Sequence, residues 1–181
     1  MNFVPTALPG VFVVEPQKLV DERGFFARVW CQEAFESRGL KPAVVQANIG
    51  FSPRRGTLRG LHYQAEPYAE AKLVRCTRGA VHDVAVDLRP DSETFLGWVG
   101  LTLSADTHRM LYVPEGCAHG YLTLTDDVEV SYQTSHPYVR EAASGRRYDD
   151  PALGIEWPIA VAVISEQDRS WPLLNSVEAA A

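Results

Sequence analysis

The sequence has few cysteines, few lysines and no long apolar run. Its three cysteines, Cys31, Cys76 and Cys117, are an odd number without close pairing, which argues against a disulfide framework or a cysteine zinc site. No segment approaches the ~20 apolar residues of a membrane helix, and the first residues lack the basic and apolar regions of a signal peptide. We therefore expect a cytoplasmic protein with reduced thiols and no contact with a membrane.

Positive charge is scarce and is carried mostly by arginine. The net charge of -6 makes binding to nucleic acid unexpected. Several arginines nevertheless lie close together in the sequence, namely Arg54, Arg55, Arg59, Arg75 and Arg78. Because the planar guanidinium group binds phosphate well, these arginines indicate either a local anion site or an ordinary solvated surface.

Turn signals recur at short intervals and separate runs rich in valine, leucine and aromatic residues, which predicts many short strands. The predicted strands are Gly10–Val14, Phe25–Trp30, Val44–Phe51, Thr57–Gln64, Ala71–Thr77, Ala80–Leu88, Thr94–Leu103, Arg109–Val113, His119–Leu124, Val128–Ser135 and Ala160–Ser165. One short helix fits Gln32–Arg38, with Gly39 as its stop. Regularly spaced strands indicate a sandwich or barrel, of which the jelly roll is a common form.

The length of 181 residues suits one domain with a sizeable core. We expect this domain to span residues 1–175, and residues 176–181 to be a disordered tail.

Alternation along the strands identifies polar residues on apolar faces. Tyr132 shares a face with Val128 and Val130, and Lys72 shares one with Val74 and Cys76. A lysine on an apolar face is unusual, because a buried ammonium needs a partner or a function. His62 lies on the face of Leu58 and Gly60.

A barrel interior could therefore hold His62, Lys72 and Tyr132 together. Taken singly, an inward histidine or tyrosine is more often a core residue, and the three together indicate a site. A neutral histidine can remove a proton, a lysine cation can stabilise an enolate oxygen, and a tyrosine can return a proton. These are the groups needed to abstract a proton next to a carbonyl. His82 is also predicted to face inward, opposite Asp83 and Asp87.

A metal-binding cupin is a competing interpretation. Pro114–His119 and Gly56–His62 resemble the two cupin motifs. The metal set is incomplete, however, because Gln64 replaces the second histidine of the His-x-His pair and Glu70 comes slightly late for the acidic ligand. Since Fe and Zn sites usually have at least three good ligands, we expect no metal ion.

Nearly the whole chain, from about Phe12 to Pro172, resembles the dTDP-4-dehydrorhamnose 3,5-epimerases, the RmlC-type sugar epimerases. The matching segments are Asp21–Phe26, Gln46–Asn48, Gly56–Gln64, Lys72–Arg75, Arg78–Ala80, Asp83–Arg89, Leu111–Gly116, Ala118–Gly120, Asp150–Ile155, Trp157–Pro158 and Ser165–Asp168. The order of these motifs is highly specific. The resemblance implies an all-β, cupin-type jelly-roll barrel with short peripheral helices, which forms a homodimer without a metal or organic cofactor.

The resemblance also implies a role for each site residue. His62 resembles the base that takes the proton beside the keto group, and Asp168, in a late loop, resembles its acidic partner. Lys72 resembles the group that stabilises the enolate, and Tyr132 the acid that reprotonates from the opposite face. The residues that resemble substrate contacts are Arg23, Phe26, Gln46, Asn48, Arg59, His119 and Tyr138, some of them supplied by the partner subunit's N-terminal segment. His82 has no catalytic counterpart in the family and is kept as a core residue.

The chain departs from the family at some binding positions. Arg28 replaces a common glutamate at the nucleotide, Cys117 a common phenylalanine and Gln167 a common lysine. With the catalytic set intact, the expected substrate is a dTDP-4-keto-6-deoxyhexose inverted at C3, C5 or both. A mono-epimerase on a related nucleotide sugar, with CDP or GDP as possible carriers, is one alternative, and a metal-dependent cupin oxygenase is another. A non-catalytic sugar-nucleotide binder is disfavoured because no catalytic residue is lost.

Overall fold

A computed structural model describes residues 1–174, so the predicted tail at residues 176–181 lies outside the described residues. The strands are β1 (Asn2–Pro5), β2 (Phe12–Glu15), β3 (Lys18–Asp21), β4 (Gly24–Ala27), β5 (Gln46–Ser52), β6 (Thr57–Gln64), β7 (Lys72–Arg78), β8 (Ala80–Asp87), β9 (Trp98–Ser104), β10 (Met110–Val113), β11 (Cys117–Thr123), β12 (Val128–Thr134), β13 (Ala143–Gly145) and β14 (Val163–Ile164). The two helices described are α1 (Gln32–Glu36) and α2 (Glu166–Ser170), and no helix within residues 1–174 is long and apolar enough to cross a membrane.

The strands form two large sheets and one separate hairpin. The first sheet has the order β1-β2-β10-β7-β12-β5. The second has the order β13-β6-β11-β8-β9, and β14 pairs in parallel with β6. Strands β3 and β4 form the hairpin on their own. Neighbouring strands of each sheet are antiparallel apart from the β14–β6 pair, as the predicted sandwich or barrel requires.

The main core fills the space between the two large sheets. It combines residues of the first sheet, such as Val74 and Val130, with residues of the second, such as Val81 and Ala85. The alternation predicted for β12 is confirmed, because Val128 and Val130 are fully buried and Tyr132 packs against the same cluster. The polar side chains of this face therefore point into the space between the sheets.

Each large sheet is also covered on its outer face. Phe35 of α1 packs against the first sheet, with its ring 5.6 Å from that of Tyr112. The chain that follows β13 brings Leu153 and Trp157 onto the outer face of the second sheet, against Val84. Central strands such as β8 are therefore almost continuously buried.

Several predicted boundaries were wrong. Strands β1, β3 and β13, of three or four residues each, were not predicted. The predicted strand Thr94–Leu103 begins only at Trp98. The predicted strand Ala160–Ser165 shrinks to β14. The predicted helix Gln32–Arg38 ends earlier, at Glu36, with Ser37 as its C-cap. Gly39 lies in the turn that follows, with φ of +68°, a conformation that glycine adopts without strain.

The turn after β8 is organised by the buried carboxylate of Asp87. Its Oδ1 accepts hydrogen bonds from Arg89 N and Nε at 3.0 and 2.8 Å. Its Oδ2 accepts from Arg89 Nη2, Ser92 Oγ and Thr94 Oγ1 at 2.7, 2.6 and 2.7 Å. Burial opposes ionisation, but these donors outweigh it and lower the pKa of Asp87. Arg89 Nη2 also donates to Pro9 O at 2.8 Å, so one carboxylate fixes the turn and the N-terminal segment.

We expect Asp87→Asn to lower the free energy of unfolding by about 2–3 kcal/mol at pH 7, because the variant leaves the donors with a neutral acceptor. Since the folded-state pKa of Asp87 is lowered, its stabilisation is complete above the ordinary value of 3.8 and is lost as the pH falls below it. The difference in the free energy of unfolding between wild type and variant should therefore be smaller at pH 3 than at pH 7. Urea unfolding at both pH values measures it, and a difference independent of pH would contradict this account of Asp87.

Candidate active site

A cavity of about 890 Å³ opens between the two sheets, within the usual size range for small-molecule sites. Its walls come from β5, β7 and β12 of the first sheet and from β6 and β11 of the second. The segment containing β14 and α2 closes one side. Nine of the predicted site residues line this cavity: His62, Lys72, Tyr132, Asp168, Gln46, Asn48, Arg59, His119 and Tyr138.

His62 and Asp168 form a short hydrogen-bonded pair. The distance from His62 Nε2 to Asp168 Oδ1 is 2.6 Å, and Asp168 Oδ2 accepts from Gly60 N at 3.2 Å. Burial opposes ionisation of Asp168, but the hydrogen bonds from His62 and Gly60 outweigh it and lower the pKa of this carboxyl. An ionised carboxylate can only accept, so the ring nitrogen that faces Asp168 carries the proton and the other is free to act as a base.

Asp168 lies in the first turn of α2, and the prediction that it lies in a loop was wrong. Ser165 is the N-cap of this helix, and its Oγ accepts a hydrogen bond from Asp168 N at 3.0 Å. This N-cap is a common way to start a helix, and it fixes the backbone that carries the carboxylate. The short helix was missed because five residues give no clear apolar period.

Trp171 supports the His62–Asp168 pair, although no motif or period in the sequence pointed to it. Its ring centroid lies 6.4 Å from that of His62 in an edge-on arrangement, and its Nε1 is 3.4 Å from Asp168 Oδ1. On its other side the indole covers Gly145 of β13, where a β-carbon would clash with the ring. Gly145 pairs with His62 in the register of β13 and β6, so this glycine admits the indole next to the histidine.

Lys72 is buried at the start of β7 and has two partners. Its Nζ donates to His62 O at 3.0 Å and lies 3.1 Å from Glu70 Oε1. Burial lowers the pKa of Lys72, and the charges of Glu70 and Asp83 oppose that shift. The expectation that an inward lysine has a partner is confirmed, because a buried ammonium is tolerated only when it is paired.

Tyr132 lines the cavity from β12, on the sheet opposite to that of His62. Burial raises the pKa of Tyr132, and the nearby charge of Glu70 raises it further. The phenol therefore keeps its proton at neutral pH and can serve as a proton donor.

His119 of β11 is held by Asp83 of β8, with Nε2 and Oδ1 2.8 Å apart. The prediction that His82 faces inward and Asp83 outward was wrong. Val81 and Ala85 share the alternation of Asp83 and lie in the core between the sheets, whereas His82 packs against Trp157 on the outer face. The error arose because both faces of β8 are apolar, so alternation alone does not distinguish them.

The other predicted binding residues surround the mouth of the cavity. Gln46 and Asn48 lie on β5. Arg59 donates from Nε to Ser52 Oγ at 3.2 Å and from Nη2 to Phe51 O at 3.0 Å. Tyr138 is 62% exposed, and its backbone N–H donates to Gln46 Oε1. An exposed aromatic ring and a guanidinium group at one mouth suit a base and a phosphate.

The three remaining predicted contacts are not part of this cavity. Arg23 and Phe26 lie on the hairpin of β3 and β4, and Arg28 follows it. All three are exposed, and Arg23 pairs only locally with Asp21 at 2.5 Å. The cavity of one chain is therefore built without these residues.

The groups around the cavity fit proton transfer better than metal binding. No group of three or more His, Cys, Asp or Glu within residues 1–174 could hold a metal ion. The rings of His62 and His119 are each hydrogen-bonded to a carboxylate of their own. A free imidazole nitrogen, a buried ammonium and a protonated phenol around one cavity are the parts needed for proton abstraction beside a carbonyl.

Comparison with known proteins agrees with this chemistry. The family model described as dTDP-4-dehydrorhamnose 3,5-epimerase matches residues 5–176. A relative of that name from Shigella flexneri is 46% identical over 169 residues, which cover 93% of each chain.

Two solved structures are informative. The dTDP-6-deoxy-D-glucose-3,5-epimerase RmlC from Legionella pneumophila, in complex with dTDP-4-keto-L-rhamnose, has a TM-score of 0.90 and 37% identity, covering 97% of this chain and 94% of that one. A 3'-monoepimerase from Streptomyces bikiniensis, in complex with dTDP-quinovose, has a TM-score of 0.86 and 33% identity, covering 93% of this chain and 86% of that one. These similarities confirm the predicted cupin-type jelly roll.

We expect Gly145→Ala to lower the free energy of unfolding by about 1–3 kcal/mol, because the added methyl group displaces Trp171. The same change in a Trp171→Ala background should lower the free energy of unfolding much less, since the clashing ring is absent. Urea unfolding of wild type, both single variants and the double variant measures this coupling. Additive effects of the two changes would show that Gly145 is not needed to admit the indole.

Proposed function

The chain belongs to the dTDP-4-dehydrorhamnose 3,5-epimerase family and is an epimerase of a dTDP-linked 4-keto-6-deoxyhexose, and we propose that four of its residues carry out the reaction. His62 acts as the base, Asp168 orients and stabilises it, Lys72 stabilises the enolate and Tyr132 acts as the acid. One observation carries the proposal: His62 and Tyr132 lie on opposite sheets and line the same cavity.

The first step is removal of a proton from a ring carbon next to the C4 carbonyl. The free nitrogen of His62 takes the proton, the electron pair of the C–H bond forms the carbon–carbon double bond, and the carbonyl oxygen becomes an enolate. The ionised Asp168, 2.6 Å from the ring, stabilises the imidazolium that forms. An ammonium has three N–H donors, and with two of those of Lys72 directed to His62 O and Glu70, one is left for the enolate oxygen.

The second step returns a proton to the same carbon from the other side. Tyr132 gives its hydroxyl proton, the double bond reverts to the ketone, and the configuration at that carbon is inverted. Proton exchange with solvent then resets the imidazolium and the phenolate. Because burial raises the pKa of Tyr132, the phenol is in the required state at the start of each cycle.

The substrate's nucleotide part fits the mouth of the cavity. Arg59 offers a guanidinium group for the diphosphate, and the exposed ring of Tyr138 can stack on the base. We propose that Gln46 and Asn48 bind the nucleoside and that His119 contacts the sugar or phosphate. Arg28 is exposed next to the hairpin and can approach a nucleotide only in the partner subunit's cavity, so the carrier nucleotide bound there is the substrate feature that Arg28 would affect most.

The hairpin residues Arg23, Phe26 and Arg28 have a role in this scheme if the enzyme is a homodimer. Leu19, Val20 and Phe26 are 62%, 76% and 67% exposed, and Ile49 and Phe51 on β5 are 69% and 46% exposed. Exposed apolar surface of this extent favours association, and in a two-fold dimer the two patches are buried in equivalent ways. We propose that the hairpin reaches the partner subunit's cavity.

The three free thiols favour a cytoplasmic location.

A mono-epimerase is the second candidate, because one of the similar structures is a 3'-monoepimerase. The same base and acid serve either reaction. The difference is whether the proton of C3 alone, or the protons of both C3 and C5, are exchanged.

We expect wild-type enzyme in D2O to exchange the C3 and C5 protons of dTDP-4-keto-6-deoxyglucose, as followed by proton NMR. His62→Asn should slow exchange by about 100-fold to 10,000-fold, since the base is lost. Tyr132→Phe should still exchange the proton on the His62 side but yield little inverted sugar when a reductase traps the product. His82→Asn, which changes a histidine on the outer face, is the matched control and should keep wild-type exchange.

Wild-type exchange by the His62→Asn variant would rule out His62 as the base. Full inversion by Tyr132→Phe would rule out Tyr132 as the acid. Exchange at C3 alone in the wild type would make the mono-epimerase assignment correct.

We expect the enzyme to be a dimer in solution, by light scattering after gel filtration, and its hairpin to act in the partner's site. A hairpin variant, Arg23→Ala with Phe26→Ala, and the His62→Asn variant should each be inactive alone. After mixing under conditions that exchange subunits, activity should rise to about one quarter of wild type, because half of the dimers are mixed and each has one complete site. A mixture that stays inactive although mixed dimers form would show that the hairpin serves its own cavity or none.

A further inference from the structure

Glu70 lines the cavity and contacts Lys72 in the first proposed step, but it has been given no role of its own. It precedes β7 by two residues, and its side chain is only 9% exposed. Its Oε1 lies 3.1 Å from Lys72 Nζ, and its Oε2 lies 3.4 Å from Gln64 Nε2. The close partner of this carboxylate is therefore Lys72, and Gln64 makes only a longer contact with it. A buried carboxylate is costly unless it is paired in this way.

We propose that Glu70 is a positioning residue for the epimerisation, which orients the Lys72 ammonium group towards the substrate's carbonyl oxygen and keeps it charged. This inference rests on the proposed role of Lys72 in stabilising the enolate. Glu70 itself acts through Lys72 and does not transfer a proton.

The orientation follows from the contacts of Nζ. One N–H of Lys72 is directed at His62 O, 3.0 Å away on the opposite sheet, and a second at Glu70. With two of the three donors fixed, rotation about the last side-chain bond is blocked and the third donor has one direction left. Without Glu70 the ammonium group could rotate about a single hydrogen bond, and the donor for the enolate would no longer be preorganised.

The charge state depends on the same contact. Burial lowers the pKa of Lys72, and Glu70 is the main group that opposes this shift, with Asp83 second. Glu70 also raises the pKa of Tyr132, to which Arg59 contributes in the opposite sense. The other ionisable groups around the cavity are His62, paired with Asp168, and His119, paired with Asp83. Loss of the Glu70 charge should therefore make both Lys72 and Tyr132 lose their protons at lower pH.

Gln64 lies beside Glu70 and connects this part of the cavity to its rim. The two N–H donors of its Nε2 make their shorter contacts with Tyr68 O and Pro137 O at 2.9 and 3.1 Å, and Glu70 Oε2 lies farther away at 3.4 Å. Its Oε1 accepts from Val139 N at 2.6 Å. The amide that stands where a metal cupin has a histidine ligand thus fixes the loop around Tyr138 next to Glu70.

The first test compares Glu70→Gln, which keeps the size but removes the charge, with Glu70→Asp, which keeps the charge. In Glu70→Gln we expect kcat to fall at least 10-fold at pH 8 with little change in KM. The alkaline limb of its kcat profile should move to lower pH by about 1–3 units, the usual effect of one close opposite charge. Glu70→Asp should restore the position of that limb even if its kcat is lower. A Glu70→Gln enzyme with wild-type kcat and an unmoved limb would overturn the proposal.

The second test observes the lysine directly. The sequence has only Lys18, Lys41 and Lys72, so protein labelled with 13C at lysine Cε gives three NMR signals, and Lys72→Met assigns one of them. In Glu70→Gln the titration of Lys72 should move to lower pH while Lys18 and Lys41 stay unchanged. Glu115→Gln, which removes the partner of Lys41 at 3.4 Å on the surface, is the matched control and should affect Lys41 alone.

The outcomes distinguish this inference from the mechanism on which it rests. A Lys72→Met enzyme with wild-type exchange would remove the proposed role of Lys72 itself. An inactive Lys72→Met enzyme together with a fully active Glu70→Gln enzyme would overturn only the role of Glu70. If Glu70→Gln fails to fold, the wild-type titration decides, because a Lys72 that is already neutral at pH 7 beside Glu70 contradicts the proposal.

Discussion

The cavity depends on the pairing of its lysine and its two histidines with buried carboxylates. Asp168 holds His62, Glu70 holds Lys72 and Asp83 holds His119, at 2.6, 3.1 and 2.8 Å. The three carboxylate side chains are at most 9% exposed. Unpaired charges would be expelled or neutralised at this depth, so the pairs are what allow charged groups to stand ready between two apolar sheets. They also fix each group before a substrate arrives, which is the condition for electrostatic stabilisation of an enolate.

The rest of the fold brings these pairs together. The two sheets supply opposite walls, and the apolar core between them continues directly into the polar faces of β7 and β12. The C-terminal part of the described chain then closes the site, because Asp150, which is 2% exposed, accepts a hydrogen bond from Leu174 N at 2.6 Å. This contact holds the end of the segment that carries Asp168 and Trp171. With the roles proposed for His62, Tyr132 and Lys72, a base on one wall, an acid on the other and a cation at the carbonyl would give the inversion expected of an enzyme of this family.

Local pattern was a good guide where one strand face is apolar and the other is not. The period of two in β12 and β7 correctly placed Tyr132 and Lys72 in the interior, since the face that carries Val130 and Val74 must be buried. It failed in β8, where both faces are covered and the inward residue is Asp83 rather than His82. The resemblance of the motifs to a known family supplied Asp168, which no period indicates. Neither route drew attention to Trp171 or Gly145.

The all-β architecture, the family and the four residues proposed to carry out the chemistry could be inferred from the sequence, because alternation and ordered motifs are properties of neighbours along the chain. Apart from Asp168, which the resemblance implied as the partner of His62, the partners of those residues are known only from the tertiary structure. Gly145 and Trp171 are 26 positions apart in the numbering and yet share one contact, and His62 and Asp168 are 106 apart. Whether a carboxylate faces a lysine or the solvent depends on how two sheets and a terminal segment pack, and that packing is set by the sum of many long-range apolar contacts, which no single stretch of sequence contains.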